Sequence, residues 1–157
     1  LSASPRAHLL VLCGANDRLR AALSSNREAG GRLRVFGPQP AALVAAMMAA
    51  ADVHIGKPGG LSAAESLAAG LPMVLTSPLP GQEEGNTRHL LAVGAAINGG
   101  PPERAARAAA DLLDDPEALS ILRAGAFRAG LPASAARAAS EVLDLLGASS
   151  VQLKISR

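Results

Sequence analysis

The sequence predicts an α/β fold, in which a doubly wound, mostly parallel sheet is followed by an all-helical C-terminal part. Short apolar runs alternate with Ala- and Leu-rich helical stretches as far as residue 100, the order typical of a parallel sheet with helices on both faces. Glycine and proline follow most of these runs, as they do at strand-to-helix turns. Beyond Pro101 the helical stretches succeed one another without an intervening strand pattern.

The first strand is predicted over His8–Cys13, a continuous apolar run typical of a strand buried on both faces. Asn16 and Asp17 can both cap the helix that follows, which runs to about Ser24. The second strand covers Arg32–Phe36, and Pro40 suits the first turn of a helix over Ala41–Ala51. The apolar side chains expected on the inner side of that helix are Leu43, Val44, Met47 and Met48.

The third strand is predicted over Asp52–Ile55, followed by a helix over Ser62–Ala69 that ends at a C-cap glycine, Gly70. The fourth strand covers Met73–Thr76, after a proline that starts it. The alternation is completed by a helix and a short strand, Asn86–Val93 and Ala95–Ile97.

The C-terminal part is predicted to form three helices, broken at Asp-Asp-Pro and Gly-Leu-Pro: Pro102–Leu113, Pro116–Arg128 and Ala133–Leu146. We therefore divide the chain into an α/β core (1–100), C-terminal helices of the same domain (101–150) and a tail (151–157). The tail alternates apolar and polar residues. A frayed end is the favoured interpretation, and a strand added to a sheet edge is the alternative.

Composition excludes several function classes. Hydrophobic residues are 49% and charged residues 18% of the 157 residues, which indicates a folded globular chain. Aromatic residues are 1%, too few for the stacking platforms that bind single-stranded nucleic acid. The formal net charge is +2 and the arginines are scattered, so no nucleic-acid partner is expected.

The cysteine count and the chain start bear on compartment. Cys13 is the only cysteine of the sequence, which favours a reducing, cytoplasmic compartment. No run of about 18 residues is apolar enough for a transmembrane helix. The first five residues lack a signal-peptide pattern and an initiating Met, so the chain is expected to begin inside a longer protein.

The stretch after the third strand is the main candidate for chemistry. Gly59 and Gly60 break regular structure between an apolar strand and a helix, and such a turn points backbone N–H groups at a natural phosphate seat. Ser62 and Glu65 stand three residues apart, the spacing of a capping box. From spacing alone, capping explains both residues better than a ligand does, although Glu65 is also placed to reach a ribose hydroxyl.

The string KPGGLSAAESLAAGLPMVL, followed by PLPGQEEGN, resembles the nucleotide-sugar signature of GT-B glycosyltransferases. The branch that it resembles holds the monogalactosyl- and processive glucosyl-diacylglycerol synthases and, more distantly, the enzyme that makes lipid II. The resemblance runs from about Leu9 to about Ile97. It implies a Rossmann-like domain, half of a GT-B fold, that binds a UDP-hexose donor in an enzyme acting on a lipid-linked acceptor.

Each residue that the resemblance assigns follows the carboxyl end of a predicted strand, where ligands of open parallel sheets bind. For the uracil and the nucleotide side of the cleft, the residues implied are Gly14, Asn16, Phe36, Gly37 and Pro38. A plain strand-to-helix turn explains these equally well.

For the diphosphate, the resemblance implies that Lys57 lies over the phosphates and that backbone N–H groups are donated by Gly59, Gly60 and Leu61. It implies that Glu65 accepts hydrogen bonds from the ribose hydroxyls, as a carboxylate can. Gln82 and Glu83 match the residues that read the hydroxyls of the donor sugar. Asn86 either binds phosphate or caps its helix, and as an isolated residue it is better explained as a cap. Lys57 alone is better explained as a solvated lysine.

The other reactive side chains have structural explanations. His54 is expected to be a satisfied structural histidine, Cys13 a small buried hydrophobe and His89 a surface residue. The sequence holds no metal-ligand cluster and no nucleophilic triad, so we assign no metal, no cofactor and no catalytic residue within this chain. The UDP-sugar is a donor substrate.

One departure from the family concerns the sheet. The family's donor domain opens with a strand and a Gly-rich loop, and here only residues 1–7 precede the matching second strand. That missing strand is central in a 3-2-1-4-5-6 order, so a gap in mid-sheet is expected. Three outcomes stay open: the flanking strands pair directly, the tail fills the gap, or the missing part lies on another polypeptide.

The expected partners follow from the same resemblance. They are a UDP-sugar and an acceptor-binding N-terminal domain or separate partner subunit, through which the chain would meet a membrane lipid acceptor at the inner face of the membrane. One alternative is a non-catalytic nucleotide-sugar-binding subunit that acts only with a partner chain. A sugar-nucleotide epimerase of related fold is a third, weaker hypothesis, and the Gly-Gln-Glu string argues against it.

Overall fold

The computed structural model describes residues 4–26, 29–77 and 79–146. Strands and helices alternate as far as β5, and three helices follow. In chain order the elements are β1 (Leu9–Leu12), α1 (Asp17–Ser24), β2 (Leu33–Phe36), α2 (Ala41–Ala50), β3 (His54–Gly56), α3 (Gly60–Ala68), β4 (Met73–Thr76), α4 (Glu84–Ala92), β5 (Ala96–Gly100), α5 (Pro102–Leu113), α6 (Pro116–Ala129) and α7 (Ser134–Leu145).

Every strand pair is parallel, as the alternation predicted. β1 pairs with β2, with Leu9 opposite Leu33. β4 lies between β3 and β5, with Met73 opposite His54 on one side and Ala96 on the other. The predicted parallel α/β class and the helical C-terminal part are therefore confirmed.

The strands do not form a single sheet. Within the described residues they form one sheet of order β1-β2 and another of order β3-β4-β5. The predicted gap in mid-sheet is thus confirmed, and direct pairing of the strands that flank it does not occur. The tail at 151–157, which was the second possible filler, lies outside the described residues.

The gap corrects the predicted burial of the first strand and also leaves β3 partly exposed. β1 was expected to be buried on both faces, yet Leu10 is 43% exposed, and Ile55 of β3 is 40% exposed. On α2 the side chains that are half-buried are Val44, Met47 and Met48, so the predicted inner side is confirmed for these three, whereas Leu43 is exposed. No residue of α2 is fully buried. The physical reason is non-local, because an apolar strand is buried only where a second neighbouring strand and the facing helices cover it.

The core is built around β4, the middle strand of the larger sheet. Met73, Val74 and Leu75 are completely buried. Met73 and Leu75 pack on one face with α3 and α4, and Val74 packs on the other with α5 and α6. Burying each such side chain stabilises the fold by roughly 1.5–3 kcal/mol. The larger sheet and the helices packed on it therefore hold the turn after β3 in place.

Candidate functional site

The turn from β3 into α3 presents unpaired backbone donors. Gly59 is the N-cap of α3, and the first hydrogen bond of the helix runs from the Ala63 N–H to the Gly59 carbonyl at 2.9 Å. The N–H groups between these two residues therefore have no acceptor within the helix. They belong to Gly60, Leu61 and Ser62. Because a helix N-terminus also carries a partial positive charge, this turn suits an anion.

Ser62 does not cap α3, so the predicted capping box of Ser62 and Glu65 is wrong. The helix begins at Gly60 instead of Ser62, and its N-cap, Gly59, makes no side-chain capping bond. Gly59 has the extended backbone conformation that is usual at an N-cap, φ −64° and ψ 147°, so the helix starts two residues earlier than predicted. Ser62 donates its hydroxyl to the Gly59 carbonyl at 3.2 Å. Glu65 lies in the second turn, where capping no longer accounts for it.

Glu65 and Lys57 are both exposed beside this turn. Among the residues that the structure describes, neither side chain makes a hydrogen bond or an ion pair. Glu65 lies one helical turn after Leu61, on the same face of α3, and Leu61 is 83% exposed. A carboxylate and an ammonium group are therefore available to a molecule bound at the turn.

The loop between β4 and α4 is held by its own carboxylates. Glu83 Oε2 accepts from the Leu79 N–H at 2.6 Å, and Glu84 Oε1 accepts from the Gly81 N–H at 3.1 Å. Glu83, which was predicted to read a sugar, thus has one oxygen engaged within the loop. Gln82 is exposed, and its side-chain amide makes no hydrogen bond in the described part of the chain.

Asn86 ties this loop to the glycine turn. Its Nδ2 donates to the Pro58 carbonyl at 2.9 Å. The prediction that Asn86 caps α4 is wrong, since that helix begins at Glu84 with Glu83 as its N-cap. The side chain is therefore free to join two loops that are 28 residues apart in sequence.

The two loops converge on the paired glycines. A Cβ on Gly59 would lie 3.9 Å from Glu83 Oε1, and a Cβ on Gly60 would lie 4.0 Å from Asn86 Nδ2. Because neither glycine has a side chain, the backbone between these polar groups remains accessible. The predicted residues that meet at this turn are Lys57, Gly59, Gly60, Leu61, Glu65, Glu83 and Asn86.

The other predicted residues follow β1 and β2, beginning with Gly14 and Asn16. Gly14 has φ +53°, a left-handed conformation that favours glycine. Asn16 Oδ1 accepts from the Leu19 N–H at 2.9 Å, so Asn16 is the N-cap of α1, as predicted. No hydrogen bond or ion pair in the described ranges joins this turn to the Gly59–Gly60 turn.

The segment after β2 is covered by an arginine that the sequence analysis missed. Gly37 is buried, and Arg20 Nη1 lies 3.0 Å from the position that a Cβ on Gly37 would take. Arg20 is held there by Asp17, at 2.8 Å. The available signal was the spacing of Asp17 and Arg20, three residues apart, which places an acid and a base side by side on α1.

His54 faces α3 from β3. Its Nδ1 lies 2.7 Å from Ser66 Oγ, and Ser66 is completely buried. The prediction of a satisfied structural histidine is confirmed, although its partner was not predicted. Burial lowers the pKa of His54 below the ordinary value of 6.5, and the Glu65 carboxylate opposes that change. His54 is therefore neutral at pH 7.

This pKa predicts a loss of stability on acidification. In the unfolded chain a histidine has a pKa near 6.5. Below that pH the unfolded state therefore binds a proton that native His54, with its lower pKa, does not bind. The free energy of unfolding then falls as the pH drops from about 7 toward 5. Urea unfolding midpoints at both pH values should show a larger acid loss for wild type than for His54→Asn. An equal loss in both proteins would contradict this assignment.

Two further side chains lie where the sequence predicted them. Cys13 is buried and His89 is exposed, as expected. Within the described residues, no three His, Cys, Asp or Glu side chains are grouped closely enough to hold a metal ion. Of the helices described, none has both the length and the apolar character needed to cross a membrane.

Comparison with known proteins identifies the relatives of this chain. A family model described as glycosyl transferases group 1 matches residues 4–128. Processive diacylglycerol beta-glucosyltransferase of Bacillus subtilis (strain 168) is 34% identical over 112 residues, 71% of this chain and 29% of that protein. Probable monogalactosyldiacylglycerol synthase 2, chloroplastic, of Oryza sativa subsp. indica is 36% identical over 104 residues, 66% of this chain and 21% of that protein. The chain thus spans less than a third of either relative's length.

Two solved structures share the fold. MurG of Acinetobacter baumannii superimposes with a TM-score of 0.63 over 92% of this chain and 42% of its own, at 21% identity. SsfS6, a glycosyltransferase of Streptomyces sp. SF2575, gives 0.53 over 87% of this chain and 41% of its own, at 24% identity. At these identities the likeness concerns the fold alone, and the predicted Rossmann-like half of a GT-B fold is confirmed.

Proposed function

Because this chain belongs to the group 1 glycosyl transferases, we propose that it is the donor-binding half of an enzyme that transfers a hexosyl group from a UDP-hexose to a lipid-linked acceptor. The observation that carries the proposal is the Gly59–Gly60 turn, with its unpaired N–H groups and the loop that Asn86 ties to it. The lipid acceptor is inferred from relatives whose names describe diacylglycerol glycosylation.

The diphosphate sits on the amides of Gly60, Leu61 and Ser62 in this proposal. Three N–H donors and the positive end of α3 favour a doubly charged group there. Lys57, which is exposed and has no ion pair among the described residues, adds a mobile positive charge. The absence of a Cβ at Gly59 and Gly60 lets the phosphate oxygens approach the backbone closely.

The remaining parts of the donor are placed by the same elements. Glu65 accepts hydrogen bonds from the ribose hydroxyls, one turn further along α3 than the amides that hold the diphosphate. The backbone at the end of β2, at Phe36, Gly37 and Pro38, holds the uracil. The side-chain amide of Gln82 makes no hydrogen bond in the described part of the chain. It binds the hexose hydroxyls together with the Glu83 carboxylate oxygen that does not accept from Leu79.

The reaction is a displacement at the anomeric carbon. An acceptor hydroxyl oxygen forms a bond to that carbon, and the bond between the carbon and the diphosphate oxygen breaks. The electron pair leaves with UDP, so negative charge grows on the oxygens that the turn holds. Fixed backbone N–H groups stabilise such charge without reorganisation. The proton of the acceptor hydroxyl passes to a catalytic base, and both that base and the acceptor site belong to the partner domain.

The divided sheet favours a second candidate function, a nucleotide-sugar-binding subunit that acts only when docked on a partner chain. Within the described residues, β1 and β3 each have an unpaired edge, and the exposed Leu10 and Ile55 leave apolar surface that a further strand would cover. Size-exclusion chromatography distinguishes the candidates. A well-folded monomer that binds UDP but transfers nothing supports the subunit, whereas aggregation through the open edges supports one half of a larger enzyme.

Calorimetric titration with UDP tests the donor site directly. We expect Glu65→Ala to weaken UDP binding at least about tenfold, because hydrogen bonds to a charged group contribute roughly 1.5–3 kcal/mol. Glu117→Ala, which removes an exposed carboxylate from the first turn of α6, is the matched control and should bind as wild type does. Failure of wild type to bind UDP, even after an acceptor-binding domain is added, would reject the proposal.

A further inference from the structure

His54 and Ser66 form a polar link between the two elements that flank the diphosphate turn. His54 opens β3, and Ser66 lies in the second turn of α3. The distance of 2.7 Å between Nδ1 and Oγ is that of a short hydrogen bond. Ser66 is completely buried, so its hydroxyl cannot exchange this partner for water.

The imidazole ring of His54 also fixes the end of the strand. A Cβ on Gly56 would lie 2.8 Å from His54 Nε2, closer than real Cβ atoms approach. The ring therefore extends along β3 to the last residue before Lys57, and only glycine leaves room for it. One side chain thus contacts α3 through Nδ1 and the strand end through its opposite edge.

Ser66 is adjacent to Glu65 in sequence, so the hydrogen bond to His54 influences the orientation of the carboxylate proposed to bind the ribose. The hydrogen bond fixes both the separation of α3 from β3 and the rotation of α3 about its axis. That rotation sets the direction of the Glu65 carboxylate, while the separation sets the positions of the unpaired N–H groups of residues 60–62. The Asn86 bond to the Pro58 carbonyl holds the turn from its other side.

We propose that His54 is a positioning residue. It acts through Ser66 and Gly56 to hold the diphosphate turn and the Glu65 carboxylate in their relative positions. The inference rests on the proposed donor site, and His54 itself does not touch the nucleotide. Glu65 is the one charged residue of α3, and β4, which packs beside β3, carries none. Uncharged His54 therefore acts through geometry and not through charge on the phosphates.

Three single variants test the link by nucleotide binding. His54→Leu removes the ring nitrogens, Ser66→Ala removes the hydroxyl, and His54→Asn places an amide where Nδ1 lies. We expect the first two to weaken UDP binding about tenfold, and the double variant to bind no worse than either single one, because one interaction is lost in all of them. His54→Asn should recover most of the affinity, which general destabilisation would not allow.

Amide hydrogen exchange provides a readout that does not require nucleotide. In His54→Leu and Ser66→Ala, the amide of Ala63, which donates to the Gly59 carbonyl across the turn, and the α3 amides after it should exchange faster, while those of α5 remain as protected as in wild type. Gly56→Ala, which displaces the ring, should reproduce the effect. Unchanged exchange at the turn, or an equal rise in α5, would overturn the inference. Absence of UDP binding by wild type would reject the donor site, and the exchange pattern would still decide the role of His54.

Discussion

Gly125→Ala is expected to lower the free energy of unfolding by about 2–3 kcal/mol, because the packed backbone has no room for a methyl group. Gly125 is buried on α6, and a Cβ there would overlap the carbonyl oxygen of Gly94 and lie 2.8 Å from that of Val93. These are backbone atoms, so no side-chain rotation relieves the contact. The helix must move away from the core, where Ala126 is completely buried. Urea unfolding followed by circular dichroism measures the loss.

Gly85→Ala is the matched control for this substitution. Gly85 lies in α4, and a Cβ there would meet no atom within 4 Å. Alanine is favoured over glycine in a helix by roughly 0.5–1 kcal/mol, so this variant should be as stable as wild type or more stable. If Gly125→Ala also gained stability, the close approach of α6 to the Gly94 turn would be refuted.

The order of elements was predictable because it depends on local pattern. β4 and α5 have the bounds predicted from apolar runs, prolines and glycines. The burial of β1 was not predictable in the same way. Its apolar run predicts a covered strand, but coverage requires a neighbour that lies elsewhere in space, and within the described residues β1 pairs with β2 alone.

The site was predicted better as a set of loops than as individual roles. Gly59, Gly60, Glu83 and Asn86 do meet at one turn, because the carboxyl ends of parallel strands share an edge. The starts of α3 and α4 were each placed too late, since Ser62 and Asn86 have the chemistry of caps. Both side chains bond to carbonyls of the β3–α3 turn instead. A side chain's choice between a local cap and a distant carbonyl depends on packing, which spacing does not encode. The ligand roles themselves stay predictions.

Asn86→Asp is expected to reduce UDP affinity about a hundredfold. The amide nitrogen that donates to the Pro58 carbonyl is lost, and a carboxylate takes its place close to Gly60. A unit negative charge about 5 Å from a phosphate costs about 3 kcal/mol at an effective dielectric constant near 20, which corresponds to that factor in affinity. Calorimetric titration with UDP at two ionic strengths measures the effect, which should shrink in high salt.

Two further variants separate the added charge from the lost bond. Asn86→Ala removes the bond without adding charge, and we expect it to weaken UDP binding severalfold only. Asn98→Asp adds the same charge on β5, where the side-chain oxygen already accepts from the Gly100 N–H at 3.0 Å, and β4 separates it from the β3 turn. It should bind UDP nearly as wild type does. If Asn86→Asp bound no worse than Asn98→Asp, the diphosphate would not lie at the Gly59–Gly60 turn.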